Sequence, residues 1–251
     1  MDKLIYCLLL AKSNHAKPET TLNSLKGVKE AGLVAVEYHN ISAIISDVTE
    51  KQFIANKQHA VEFALVIDQL AQNYTLLPMR FGSMMDSADS VMEMLERNEV
   101  EIEDSLKKVK NKWEYGLKVL CDREKLKEEL TAKKDNDTLN FVKPEIGSNN
   151  SVYKAYVLKK LNEHRAEEQI LSFVDSILVE IKIYLQELKA VDKYKKMTNE
   201  TTIIDAVFLL DKKKKKEVIN MVKDLQQKHL QLNFLLTGPW PPYNFVELNL
   251  K

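Results

Sequence analysis

Residues 4–10, Leu-Ile-Tyr-Cys-Leu-Leu-Leu, form a continuous run without a charged side chain. Alternate side chains of a β-strand point to opposite faces, so an apolar run of this kind predicts a central strand that is covered on both faces. The run is too short to span a bilayer, and no small-residue cleavage signature follows it. We therefore expect a buried strand of a cytoplasmic protein to open the first domain.

The pattern that follows this run predicts the order β-α-β-β-α-β. A short helix is expected before Gly32, and two strands joined at His39-Asn40 form a hairpin. A helix with a broad apolar stripe then leads into the last strand. The predicted ranges are Thr20–Ala31 for the first helix, Leu33–Tyr38 and Ile41–Asp47 for the hairpin, 61–74 for the second helix and Thr75–Phe81 for the strand.

The second half of the chain repeats this order. Strict alternation from Trp113 to Cys121 predicts a strand with one buried face, and a stretch from Ser151 to about Val191 without proline or glycine predicts a long helix. Between them, residues 134–150 are rich in Asp, Asn, Lys, Gly and Ser and are expected to form a mobile loop. The remaining predicted elements are a charged helix that Asp122 caps and that runs to about Lys133, strands at Tyr194–Met197 and Thr202–Leu210, a helix from about 218 to 229 and a last strand at 232–236.

We therefore predict an α+β fold with two domains, each of the order β-α-β-β-α-β. Residues 1–110 form the first domain, with a helical bridge at its end, and residues 111–251 form the second. The second domain has the element order of a ferredoxin-like fold, with one unusually long helix.

Composition excludes several functional classes. The 37 basic and 37 acidic residues cancel, so no overall field attracts nucleic acid or an anionic membrane. Cys7 and Cys121 are far apart, which indicates a reducing compartment and no zinc site, and the five histidines lack the spacing of metal ligands. No glycine-rich phosphate loop or nucleophile motif occurs. We predict no catalytic residue, metal or cofactor, and we interpret the lysine run at 212–216 as a solvated helix start.

The most distinctive segment is LTGPWPPYNFVE at residues 236–247. Its three prolines remove backbone donors and fix φ, so the segment is no central strand and has little conformational entropy to lose on binding. It presents aromatic side chains that either contact a partner or fold back over the sheet. The candidate interaction residues are Trp240, Pro241, Pro242, Tyr243 and Phe245.

A second segment, LLPMRFGS at residues 76–83, contains the candidate residues Arg80 and Phe81. In a strand, Arg80 would point away from its neighbours, either into water or toward a carboxylate. Asp47 and Glu247 are the candidate partners, and a structural salt bridge is favoured over direct ligand binding.

These two segments, in this order and spacing, resemble the signature stretches of the gas vesicle protein family GvpF/GvpL. The resemblance extends along the chain and implies two α+β domains, the second with a modified ferredoxin-like fold. It also implies an accessory role in vesicle formation, at the gas vesicle, through association with the major shell protein GvpA and other assembly factors. The segments do not distinguish an F-type from an L-type member.

Two other classes of function are open to the predicted fold. Ferredoxin-like scaffolds support enzymes and small-ligand sites, but no convergent set of polar residues is present. RNA-recognition domains share the element order, but their central strands carry stacking aromatics, which residues 4–11 and 41–47 lack. A non-enzymatic binding protein is therefore the favoured interpretation.

Overall fold

The computed structural model describes residues 1–10, 21–49, 56–134, 151–196, 199–246 and 248. Within them the protein is a mixed α/β molecule with two antiparallel sheets and six α-helices. Two compact units are present. The first contains residues 1–115, 209–213 and 238–251, and the second contains residues 116–208 and 214–237.

The sheet of the first unit has the strand order β2-β3-β1-β4, and β5 also pairs with β1. Its central strand β1 pairs antiparallel with β3, β4 and β5, and β2 pairs antiparallel with β3. The predicted hairpin is confirmed, since Tyr38 lies opposite Ile41 across the turn at His39-Asn40. The strands are β1 Asp2–Leu10, β2 Leu33–Tyr38, β3 Ile41–Val48, β4 Leu76–Pro78 and β5 Met84–Met85.

Both faces of β1 are buried, as the apolar run predicts. One face contributes Leu4, Tyr6 and Leu9 to a core that includes side chains of helix α1, Lys57–Asn73. The other contributes Ile5 and Leu8 to a core that includes side chains of α2 and α3. These two helices span Ala88–Arg97 and Glu99–Val109.

The predicted helix at Thr20–Ala31 is wrong for the part that the structure describes. Only Thr21 and Leu22 are α-helical there, and Val28–Glu30 form a 3-10 turn. The reason is a contact distant in sequence: the buried Tyr6 hydroxyl accepts a hydrogen bond from the Val28 amide at 2.8 Å. A Cβ atom on Gly27 would lie 2.4 Å from that hydroxyl, so only glycine fits beside it.

The predicted strand at Thr75–Phe81 is also too long. Strand β4 ends at Pro78, and the chain turns at Arg80–Ser83, where the Ser83 amide donates to the Arg80 carbonyl at 3.0 Å. Arg80 therefore lies outside the strand, with an exposed side chain.

The second sheet has four strands in the order β7-β8-β6-β9. The alternating strand and the long helix are confirmed, with the helix ending a few residues earlier than predicted. Of the predicted mobile loop, residues 135–150 lie outside the described residues. The elements are β6 Lys112–Leu120, α4 Arg123–Lys134, α5 Ser151–Glu187, β7 Val191–Lys196, β8 Thr202–Asp211, a 3-10 turn at Lys212–Lys214, α6 Lys215–Lys228 and β9 Asn233–Trp240.

The lysine run at 212–216 is not simply solvated. Lys212 is half-buried, its ammonium donates to the Ala71 carbonyl at 2.8 Å, and it lies 4.0 Å from the centre of the Trp113 ring. Burial lowers the pKa of Lys212. Because Ala71 lies in the last turn of α1, this cation satisfies a helix-terminal carbonyl, a contact that the charge run alone does not indicate.

Strand β9 depends on glycine at one position. Gly238 has φ of 107°, and a Cβ atom there would lie 2.8 Å from the Glu114 carbonyl oxygen. Both facts disfavour any side chain, because a positive φ is costly for L-residues and the nearest atom is backbone.

We expect Gly238→Ala to lower the free energy of unfolding by about 1–3 kcal/mol. Gly32→Ala is the matched control, since a Cβ atom at Gly32 meets nothing within 4 Å. The control should be neutral or slightly stabilising, because alanine restricts the unfolded chain. Urea unfolding followed by circular dichroism measures both, and equal stability of the two variants would contradict the strain at Gly238.

In the second unit, Glu180 of α5 receives two hydrogen bonds from the end of α6. Lys228 Nζ lies 2.8 Å from Oε1 and His229 Nε2 lies 2.7 Å from Oε2. Burial acts to raise the pKa of Glu180, but the hydrogen bonds from Lys228 and His229 outweigh it and hold the pKa below its usual value. The ionised carboxylate therefore stabilises the folded state.

This depressed pKa predicts a pH dependence of stability. The contribution of Glu180 is complete above the ordinary carboxyl pKa and is lost as pH falls through the lower folded value. Between pH 6 and pH 3, wild type should therefore lose more unfolding free energy than Glu180→Gln. Asp224→Asn, an exposed acid of α6, is the control and should keep the wild-type slope. Parallel pH profiles for wild type and Glu180→Gln would refute the assignment.

Candidate functional site

The proline-aromatic segment forms a compact turn directly after β9. The Tyr243 amide donates to the Pro241 carbonyl at 2.8 Å, and the Phe245 amide donates to the Pro242 carbonyl at 3.2 Å. Pro241 and Pro242 are both buried. Since the order of the second sheet places β9 at an edge, the segment belongs to no central strand.

A buried carboxylate holds this turn in place. Glu114 of β6 is 3 % exposed, and its Oε2 accepts the Asn244 amide at 2.8 Å while its Oε1 accepts the Asn244 side-chain amide. A buried acid is costly unless hydrogen bonds satisfy it, and Asn244 donates two of the hydrogen bonds that Glu114 accepts. The turn is therefore fixed before any partner arrives.

The turn leaves two aromatic rings accessible. Trp240 is 45 % exposed and Tyr243 is 41 % exposed. Phe245 differs, because it is partly buried and packs against the core beside α2 and α3. Pro242 also faces inward, lining with Ala71 and Lys212 a cavity of only about 10 Å³. The predicted aromatic set thus divides into exposed Trp240 and Tyr243 and inward-facing Phe245.

Two acids lie near Tyr243. Although 41 % of the residue is exposed, the protein atoms around it partly desolvate the phenol and raise the pKa of Tyr243, and the acids Asp68 and Glu114 act in the same direction. The phenol is therefore protonated at neutral pH and can donate a hydrogen bond. Burial also raises the pKa of Asp68, a half-buried acid of α1.

The exposed side of α1 adds apolar surface. Val61 and Leu65 are exposed, one helical turn apart, and Asp68 follows Leu65 by three residues, so all three share one helix face. The sequence pattern does not reveal this face. An exposed apolar residue on a helix has the same identity as a core residue, and only the tertiary contacts tell the two apart. The arrangement offers apolar and aromatic contacts together with one acid.

Arg80 and Phe81 occupy different environments. Phe81 is partly buried, and its ring lies 5.4 Å from that of Phe63, which in turn stacks on Tyr6 at 4.8 Å. The Arg80 guanidinium is exposed, and within the described residues no hydrogen bond or ion pair engages it. Asp47, one of its two candidate partners, pairs with Lys3 instead, and the other, Glu247, lies outside the described residues.

A wide groove of about 930 Å³ lies in the second unit, around the start of α4. Arg123 on its wall pairs with Glu167 at 2.6 Å. Cys121 also lines the groove, and burial raises the pKa of its thiol, which makes it a poor nucleophile at neutral pH.

The described residues include neither a cluster of metal ligands nor a membrane-spanning helix. No group of three or more His, Cys, Asp or Glu side chains in this part of the chain could hold a metal ion. Among the same residues, no helix combines enough length with enough apolar character to cross a bilayer.

Comparison with known proteins gives consistent matches along the whole chain. The family model described as gas vesicle synthesis protein GvpL/GvpF matches residues 3–247. Gas vesicle protein L1 of Halobacterium salinarum is 23% identical over 97% of this chain and 90% of its own length. Gas vesicle protein F of a Streptomyces species is 22% identical over 96% of this chain and 99% of its own length.

Two solved structures share the fold. The crystal structure of GvpF from Anabaena superposes with a TM-score of 0.75 at 18% identity, covering 99% of this chain and 97% of the other. That of GvpF from Microcystis aeruginosa gives a TM-score of 0.70 at 16% identity, covering 98% and 99%. With the family model matching nearly the full length, the chain belongs to the GvpL/GvpF family of gas vesicle synthesis proteins.

Proposed function

We propose that this protein is a non-enzymatic accessory factor of gas vesicle assembly that acts inside the cell by binding the major shell protein GvpA and other gas vesicle proteins. Membership of the family supports the setting, and the names of the relatives place them at the gas vesicle. The site supports the mode of action, because it offers exposed aromatic surface on a fixed backbone.

The observation that carries this proposal is the pair Trp240 and Tyr243, both exposed on a turn held by buried Glu114. Aromatic side chains are enriched among the residues that dominate binding energy at protein interfaces. A rigid turn loses little conformational entropy on binding, so more of the contact energy appears as affinity. The face of α1 with Val61 and Leu65 can extend the same surface.

The inward-facing candidates have a supporting role. Pro241 and Pro242 hold the turn, and Phe245 and Phe81 anchor their segments in the core of the first unit. Arg80 is exposed and stays a candidate for direct contact. An acidic group on the partner would suit it, since a guanidinium binds a carboxylate through two parallel hydrogen bonds.

We also propose the ferredoxin-like description for the fold. In the second sheet, β6 and β7 are separated by β8, and β8 and β9 are separated by β6, which is the interleaving of two split β-α-β units. In the first sheet, β1 to β4 follow the same order. This supports two domains of common design, and the predicted boundary at residue 110 stays a prediction.

The test is co-purification of the tagged full-length protein with co-expressed GvpA. We expect wild type to retain GvpA, and Trp240→Ala and Tyr243→Ala each to weaken retention by about tenfold or more, because each removes an exposed aromatic contact. Circular dichroism checks that both variants keep the fold.

Tyr156→Ala is the matched control, since Tyr156 is an exposed aromatic residue of α5 that lies outside the turn. It should retain GvpA at the wild-type level. Retention by both turn variants would remove the turn from the interface, whereas failure of wild type itself to retain GvpA would contradict direct capture of the shell protein.

A further inference from the structure

Strand β7 is an open edge of the second sheet. The strand order β7-β8-β6-β9 gives it one neighbour, β8, so half of its backbone amides and carbonyls have no strand partner within the described residues. Edge strands of this kind are templates for pairing with another polypeptide, and proteins usually protect them.

Contacts with α5 hold this edge in place. The Tyr194 hydroxyl accepts from Lys182 Nζ at 2.7 Å, and that ammonium also lies 4.0 Å from the centre of the tyrosine ring. Two residues further along, Lys196 Nζ donates to Asp175 Oδ1 at 2.6 Å. Because Tyr194 and Lys196 lie on the same face of the strand, this face is tied to the helix and the edge is formed in advance.

Apolar side chains are exposed on both elements. Val191 and Tyr194 of β7 are exposed, and so are Val179 and Ile183, which lie one turn apart on α5 next to Lys182. Exposed apolar side chains beside a strand edge are a feature of interaction sites. They supply apolar contacts for side chains of a partner, and the strand edge supplies main-chain hydrogen bonds.

The charge of this surface is positive. Residues 182–196 contain five lysines and two acids, a net charge of +3, of which the ion pair of Lys196 with Asp175 compensates one charge. Three of the lysines, Lys193, Lys195 and Lys196, lie in β7 itself. A second copy of β7 would bring three more lysines to the same edge, so the charge disfavours self-pairing and favours an acidic partner.

We propose that β7 and the adjoining flank of α5 bind an acidic, extended polypeptide segment by strand addition. Its carboxylates lie on the face that carries Lys195, and its alternate apolar side chains lie on the other face, toward the exposed Val179 and Ile183 of α5. Nucleic acid satisfies the lysines but leaves the main-chain edge unpaired, so a peptide fits the surface better.

The experiment uses the full-length protein and two synthetic nine-residue peptides, one alternating Val with Glu and the other alternating Val with Lys. Fluorescence anisotropy should show that the Glu peptide binds at least about tenfold more tightly than the Lys peptide, because like charges across an interface are repulsive. Amide hydrogen exchange of residues 191–196 should slow in its presence, since strand addition, unlike a purely ionic contact, pairs the edge amides.

Two variants with the same kind of change sharpen the test. Lys195→Glu should weaken binding of the Glu peptide by about tenfold or more, whereas Lys223→Glu, an exposed lysine of α6, should leave it unchanged. Equal binding of the two peptides, unchanged exchange in β7, or tighter binding of a single-stranded oligonucleotide or an anionic lipid vesicle than of the Glu peptide would each overturn the proposal. GvpA takes no part in these measurements, so their outcome is independent of shell-protein capture.

Discussion

The constraint that organises the first unit is the double burial of β1. A strand that is apolar on both faces must be covered twice, and α1 does so on one side while α2 and α3 do so on the other. The buried Tyr6 hydroxyl then needs partners, which it finds in Ser46 Oγ at 3.0 Å and the Val28 amide at 2.8 Å. The path of the chain from Gly27 to Glu30 follows from that requirement.

In the C-terminal turn, too, a buried polar group is hydrogen-bonded. Glu114 is buried, and Asn244 supplies hydrogen bonds to both of its oxygens. Loss of Asn244 would destabilise the turn by roughly 1–3 kcal/mol, because a buried acid that loses hydrogen-bond donors is no longer fully solvated by the protein. The exposure of Trp240 and Tyr243 is thus a consequence of how the first unit satisfies one buried acid.

Local patterns predicted the elements whose burial is uniform along the chain. In residues 4–10, the hairpin and the long helix, the spacing of apolar residues reflects how many faces of the element are buried. That spacing can be read from the sequence itself. The two signature segments also predicted the family. Their residues and their order are not a consequence of helix or strand periodicity, so a resemblance in both is specific.

Contacts between residues far apart in sequence explain what local patterns missed. Glu114 alternates with the partly buried Trp113 and should face solvent, yet it is buried and accepts hydrogen bonds from Asn244, 130 residues away. Lys212 belongs to a run of lysines, but its ammonium donates a hydrogen bond to the Ala71 carbonyl, 141 residues away. The neighbouring sequence of Glu114 or Lys212 does not contain its partner. The charge of each side chain therefore predicted solvent exposure in both cases.

The two candidate surfaces differ in the physical force that would drive binding, and this difference separates their roles. Contacts of Trp240 and Tyr243 bury apolar area, and the resulting hydrophobic stabilisation is not screened by salt. Salts that are excluded from the protein surface, such as sulfate, strengthen it. Contacts of the exposed β7 lysines are ionic, and added salt weakens them because it shortens the Debye length from about 8 Å at physiological ionic strength to about 3 Å at 1 M. A partner held by the aromatic turn should therefore stay bound when salt is raised, whereas a segment added to β7 should dissociate. One protein can in this way release one partner and keep another as ionic strength changes.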